Sequence, residues 1–168
     1  TKALLGPKYA LLRPEFSALK KVNKYFNEFV KRIFVFFGGP DPYHLTNMTL
    51  SALSKTDLKH LQVDVVIGSN NSQRNRIKQL VANRSNTYLY IQTDNIAEIM
   101  KKADLAIGSG GSNTWERMCL DLESHVVISS ENQKKISEDL NDNNYISLIG
   151  YANSMNSNKF YVHIKQRI

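Results

Sequence analysis

The stretch from Ile107 to Arg117 reads IGSGGSNTWER and carries the residues best suited to chemistry. Glycines remove Cβ atoms, so backbone N–H groups can approach a ligand closely. A helix starting just after them presents unpaired N–H groups and about half a positive charge. Together these make a place for a phosphate or diphosphate at Gly110 and Gly111, with Ser112, Asn113 and Thr114 as side-chain donors. A purely structural reading stands beside it: Asn113 as N-cap with Glu116 three residues on is a capping box, which needs no ligand. Trp115, Met118, Cys119 and Leu122 fall at helical spacing and read as a buried stripe. Glu116 lies off that stripe, on the side of Ser112, where a carboxylate could accept from the vicinal hydroxyls of a ribose. The dinucleotide-binding pattern does not fit, since no acidic residue ends the next strand where that pattern needs one.

The elements that must position this loop follow from periodicity. Continuous apolar runs at 32–37 (RIFVFF), 63–68 (VDVVIG), 87–91 (TYLYI), 104–108 (DLAIG) and 125–129 (HVVIS) read as buried strands, with 145–150 (YISLIG) a candidate sixth. Helical patterns fall between them at 44–54, 72–82, 96–101, 113–122 and 132–140. An amphipathic helix over 15–31 precedes them, with Phe16, Leu19, Val22, Phe26, Phe29 and Val30 on its apolar face. Alternation of this kind predicts right-handed βαβ units: a three-layer, Rossmann-like α/β fold with a parallel sheet. Ligands of such sheets bind beyond the carboxyl ends of the strands. The loops GGPDP (38–42), GSNNS (68–72), QTDN (92–95), GSGGSN (108–113) and SSENQ (129–133) therefore converge on one rim. Gly38 and Gly39 let a ligand or a second domain approach, and Asp41 reads as a helix cap. Glu131, Asn132 and Gln133 read as caps of the last core helix, or as amides reaching a ligand.

Size and composition set the frame. The chain has 168 residues, 42% of them hydrophobic, which suits one domain of 15–150 flanked by a linker (1–14) and a polar tail (151–168). The tail reads as a terminal helix or a partly ordered end. No apolar run is long enough to span a bilayer. The net charge of +7 permits an anionic partner, but the basic residues are scattered and lack the aromatic interleaving of a nucleic-acid footprint. The lone Cys119 excludes an internal disulfide and favours a cytoplasmic setting. His44, His60, His125 and His163 show no metal-ligand spacing, and His125 reads as a strand-end residue. No Walker loop, nucleophile elbow or Cys-x-x-Cys occurs.

Taken in order, LLGPKYALLRPEF, VFFGGPDP, ADLAIGSGGSNTWERMCLDL and ENQ resemble the C-terminal half of the UDP-sugar hydrolases of pseudaminic acid biosynthesis, a family that includes spore-coat polysaccharide proteins. The family is similar in turn to the lipid II-forming N-acetylglucosaminyltransferase, with its two-domain glycosyltransferase-B fold. The resemblance runs to about Gly150. It implies release of UDP by water attack at the anomeric carbon, with no metal and no cofactor. It places Gly110, Gly111, Ser112, Asn113 and Thr114 at the diphosphate and Glu116 on the ribose. Backbone groups near Ile91 and Gln92 would meet the uracil, Asn132 and Gln133 would face the sugar and phosphates, and Gly38 and Gly39 would line the cleft. Nothing in the chain matches the glycine-rich, histidine-bearing loop of the family's N-terminal domain. The expectation is thus a UDP-sugar-binding half that needs a catalytic N-terminal partner domain and is inactive alone. Two alternatives share the same grip: the nucleotide domain of a glycosyltransferase, and a non-catalytic binding module.

Overall fold

The computed structural model describes residues 9–19 and 29–168. Its sheet has six strands: β1 (Arg32–Phe36), β2 (Gln62–Ile67), β3 (Thr87–Ile91), β4 (Leu105–Ser109), β5 (Glu123–Ile128) and β6 (Ser147–Tyr151). They lie in the order β3-β2-β1-β4-β5-β6, and every neighbouring pair is parallel. The helices are α1 (Pro14–Leu19), α2 (Leu45–Leu53), α3 (Arg74–Ala82), α4 (Ile96–Lys101), α5 (Asn113–Cys119), α6 (Glu131–Asp142) and α7 (Ser157–Arg167). The candidate sixth strand is present as β6, and much of the polar tail is α7.

Side chains alternate across the sheet, so each strand feeds two cores. Ile33, Val35, Val63, Val65 and Ile107 point to the face covered by α2, α3 and α7. Phe34, Val66 and Ala106 point to the opposite face, where α1 and α4 pack. Val126 lies on that second face beneath α5 and α6, with Leu140, Trp115 and Met118 around it. Phe160 and Ile164 of α7 are fully buried in the first core. Two layers of helix thus cover a sheet that is apolar on both faces.

Three expectations change. The helix over 15–31 is observed only as Pro14–Leu19, and residues 20–28 lie outside the described residues. Residues 29–31 are not helical. There the chain turns into β1, and the Asp104 carboxylate accepts from the Lys31 and Arg32 amides at 3.0 and 2.9 Å. The helix over 113–122 stops at Cys119 because Asp121 adopts φ 50 and the Leu122 amide donates to the Arg117 carbonyl at 2.9 Å. That six-to-one bond is a Schellman ending. Finally, His125 lies inside β5 rather than at its end, almost fully buried, its ring 4.5 Å from that of His163 on α7.

Candidate functional site

Strand order reverses between β1 and β4, so the loops leaving those two strands part to opposite faces and open a crevice at their carboxyl ends. The loop after β1 is the GGPDP turn. Gly38 takes φ 88, which favours glycine. Gly39 accepts from the Gly68 amide and from Asn71 Nδ2, both at 3.3 Å, so the turns after β1 and β2 are joined. Asp41 is buried as a cap, its two carboxylate oxygens accepting from the Leu45 and Thr46 amides at 3.0 and 2.8 Å. After β3, Gln92 takes φ 52 and donates its amide to the Ile67 carbonyl at 3.0 Å. That N–H is thereby committed to the fold, while Ile91 sits half-buried at the strand end.

The loop after β4 is anchored at both ends. The Gly110 amide donates to the Val127 carbonyl at 3.2 Å, and a Cβ on Gly110 would run into Ser137 Oγ of α6. The Thr114 and Trp115 amides donate back to Gly111 and Ser112 at 2.9 and 3.1 Å. Among the described residues no acceptor takes the amides of Gly111, Ser112 and Asn113. These three amides are the loop's unpaired donors. Thr114 is buried, and its hydroxyl accepts from Arg117 Nη2 at 2.9 Å.

The capping box is not formed. Ser112 is the N-cap and makes no side-chain cap bond, while Asn113 sits in the first turn and donates its Nδ2 to Glu116. The stripe holds only in part: Leu122 is buried and Trp115, Met118 and Cys119 are half-buried against the core, but Glu116 and Arg117 are buried as well. Helix α5 therefore buries two sides: Trp115 and Met118 pack by Val126, while Glu116 and Arg117 turn to the polar loops at the crevice. Arg13, just before α1, reaches Glu116: Nε lies 2.9 Å from Oε1, and the guanidinium stacks 4.9 Å from the Phe16 ring centroid. Arg117 is fully buried, and burial pushes its guanidinium down to about 10, still cationic at neutral pH.

A cleft of about 350 Å³ opens here, lined among others by Arg13, Gly39, Gln92, Ser112, Asn113 and Glu116. Gly38, Ile91, Gly110, Gly111 and Thr114 lie beside it in the same loops but do not line it. Gln133 is adjacent: its Nε2 would stand 3.7 Å from a Cβ on Gly111, and its Oε1 accepts from the Ser129 amide at 3.0 Å. Asn132 is exposed and accepts from Ser130 Oγ at 2.5 Å. A larger cavity, about 530 Å³, lies among Leu122, Glu123, Tyr145 and Ser147, at the amino ends of β5 and β6. We place the candidate site at the smaller one, because the loops after the strands converge there beside the unpaired Gly111–Asn113 amides. No group of three or more metal-ligating side chains occurs among the described residues. No described helix is long and apolar enough to cross a membrane.

Residues 32–157 match the profile of the glycosyltransferase family 28 C-terminal domain. The chain belongs to that family. The family 28 domain described here is 28% identical over 134 residues to the spore coat polysaccharide biosynthesis protein SpsG of Bacillus subtilis, covering 79% of this chain and 39% of that one. It is 27% identical over 129 residues to the UDP-2,4-diacetamido-2,4,6-trideoxy-beta-L-altropyranose hydrolase of Campylobacter jejuni, covering 77% of this chain and 44% of that one. The crystal structure of Acinetobacter baumannii MurG superposes with a TM-score of 0.59 at 13% identity, over 92% of this chain and 44% of that one. The fold is thus that of a glycosyltransferase-B C-terminal domain, and the family 28 domain spans less than half the length of these relatives.

Two residues of the site escaped the sequence reading. Arg13 stands in the quoted LLRPEF motif, and the following Pro14, favourable at a first helical position, marks it as a helix-entry residue. Arg117 was passed over beside Glu116. Its spacing of three from Thr114 is the one signal that the two share a face.

Proposed function

We propose that this family 28 domain holds the nucleotide of a UDP-linked sugar in the crevice between β1 and β4, on behalf of an enzyme that breaks the anomeric C–O bond. The reading rests on one observation above all: three unclaimed amides, Gly111 to Asn113, beside the Glu116 carboxylate at the sheet's reversal point. The diphosphate takes the amides of Gly111, Ser112 and Asn113, with Gly110, its own amide held by the Val127 carbonyl, and Thr114 anchoring that loop. Glu116 accepts from the ribose: an ionised carboxylate has about four acceptor positions, and Arg13 and Asn113 occupy two of them. The uracil lies toward Ile91 and Gln92, where acceptors rather than the committed Gln92 amide meet it. Gly39 lines the near side, with Gly38 beside it in the same turn, and Asn132 and Gln133 face the sugar and phosphates.

In chemical terms this half is the leaving-group side. As the glycosidic bond breaks, negative charge grows on UDP, and donors already in position stabilise it without reorganisation. Activation of the attacking water falls to a partner N-terminal domain, so the domain alone releases no UDP. The names of the Bacillus and Campylobacter relatives, a spore coat polysaccharide biosynthesis protein and a UDP-sugar hydrolase, favour a hydrolase serving surface-polysaccharide synthesis; pseudaminic acid synthesis in a cytoplasmic setting is the narrower form of the same proposal. The family profile itself favours a second reading, the same grip serving transfer to an acceptor.

Calorimetric titration with UDP, CMP and GDP tests the reading. UDP is expected to bind at least about tenfold more tightly than the other two, equivalent to roughly 1.4 kcal/mol. No heat at millimolar UDP contradicts it. In the same assay Glu116→Ala weakens UDP more than inorganic pyrophosphate, and equal losses remove the ribose assignment.

A further inference from the structure

Two arginines of this domain are buried to the same degree and are treated in opposite ways. Arg84 is 3% exposed, and all its donors are used: Nε to the Leu53 carbonyl, Nη1 to the Ser85 carbonyl and Thr87 Oγ1, Nη2 to the Leu58 and Leu61 carbonyls. Arg117 is 0% exposed, yet only Nη2 is engaged, at 2.8 Å to the Ser109 carbonyl and 2.9 Å to Thr114 Oγ1. Its Nε and Nη1 are buried with no partner. Nη1 lies against Gly108, where a Cβ would collide with it, so the fold reserves the space it fills. The neighbouring Glu116 carboxylate is already shared with Arg13 and Asn113. Buried polar groups are nearly always satisfied, and a cation left short of partners in low dielectric is costly unless something offsets it.

The position says what offsets it. Ser109 ends β4 and Thr114 lies in the first turn of α5, so the one engaged nitrogen pins both ends of the Gly110–Asn113 segment from beneath. The loop's unclaimed amides lie between those two pins. A positive charge beneath them and donors between them add to one field, and its complement is a multiply charged anion.

We infer that Arg117 is a positioning residue whose buried charge makes the cleft select ligands by the number of negative charges on their phosphate group, so that affinity climbs steeply from nucleoside to nucleoside monophosphate to nucleoside diphosphate. This rests on the nucleotide reading of the same cleft. It assigns Arg117 no contact with the ligand: it acts through the loop it holds and through its field, which low dielectric and burial leave weakly screened.

The test is a calorimetric series of uridine, UMP and UDP against the full chain, in wild type, Arg117→Met and Arg117→Lys, at fixed ionic strength. In the wild type, affinity rises along the series. Arg117→Met reduces the ratio of UDP to uridine affinity by about tenfold or more, while Arg117→Lys, which keeps the charge and loses the fork, keeps that ratio within about threefold. A purely structural role lowers all three ligands together, so an unchanged ratio in Arg117→Met overturns the inference, as does an equal loss in Arg117→Lys. Where Arg117→Met does not fold, the ratio in Arg117→Lys and the wild-type melting temperature decide. Inorganic pyrophosphate must raise that temperature beyond sodium chloride of equal ionic strength, and no such rise overturns the proposal. Absence of wild-type binding to every member of the series removes the nucleotide reading itself, whereas binding with a flat charge dependence removes only the role of Arg117.

Discussion

The two ends of the sheet handle charge differently. At the amino ends and under α7, charged groups close on one another. Glu123 accepts from Arg167 Nε at 2.6 Å and lies 3.6 Å from His125 Nε2, while Asp57 lies 3.2 Å from Lys165 Nζ and accepts from the Tyr161 hydroxyl at 2.9 Å. Among the described residues, His125 Nδ1 is the buried side-chain atom left over there. At the carboxyl ends, Arg117 lacks partners for two nitrogens, Glu116 is shared between two donors, and a run of amides has no acceptor. Both ends belong to one parallel sheet with one core. Incomplete pairing is therefore concentrated at the crevice rather than spread through the packing, which is what the proposed nucleotide site requires.

The strongest way to break this contrast is to exchange the treatment of the two buried arginines. Arg84→Met removes five hydrogen bonds, to four carbonyls and a hydroxyl, and about 3–5 kcal/mol of folding stability should be lost. Arg117→Met strands far fewer acceptors and relieves a desolvated cation, so its stability change should stay within about 1 kcal/mol. Urea denaturation of both variants decides, and equal losses would make Arg117 an ordinary staple. A smaller effect sharpens the boundary. Asp41 stands on the ligand rim but commits both carboxylate oxygens to the start of α2. Asp41→Ala should cost about 1–2 kcal/mol and leave UDP affinity within about twofold; a large loss of affinity at unchanged stability would place Asp41 in the site instead.

The smallest expected effect is a pH slope from the closed end. Burial, and then the neighbouring His125, hold the His163 imidazole down to about 4, below its unfolded value of 6.5. The unfolded chain then takes up a proton first, so stability falls as pH drops from about 6.5 toward 4. Glu123 is desolvated, which alone would raise it, but hydrogen bonds from His125 and Arg167 bring it down to about 2. Its contribution is complete above the unfolded value of 4.5 and is lost as pH falls further toward 2. Melting temperatures from pH 8 to 4 should show the first slope, and His163→Asn should flatten it. A slope unchanged in that variant would assign the loss to other groups.

Much of this architecture is legible in the sequence, and the parts that are not share a cause. The strands stand out because both faces of a parallel sheet are covered, which makes runs such as VDVVIG apolar almost throughout. Even the buried Asp64 within that run does not hide the strand; it is paired with Arg32 at 2.5 Å. Loops follow from glycine and proline. What periodicity missed is the buried polar side of α5, since apolar spacing assumes that only greasy residues turn inward. There the inward side carries Glu116 and Arg117 because the helix spans a crevice, and the capping box failed because Glu116 turns to Arg13, 103 residues away in sequence. Partners so distant in sequence leave no local periodicity to read, so the polar core of the site appears only once the chain is folded.

Amide chemical shifts of the isotopically labelled domain, followed by NMR as UDP is added, test the central claim most directly. Gly111, Ser112 and Asn113 are the unclaimed donors, and their resonances should move most, saturating together with the calorimetric isotherm. If those three stay fixed while shifts gather around Tyr145–Ser147 at the other cavity, or nowhere, the crevice between β1 and β4 is not where a nucleotide binds.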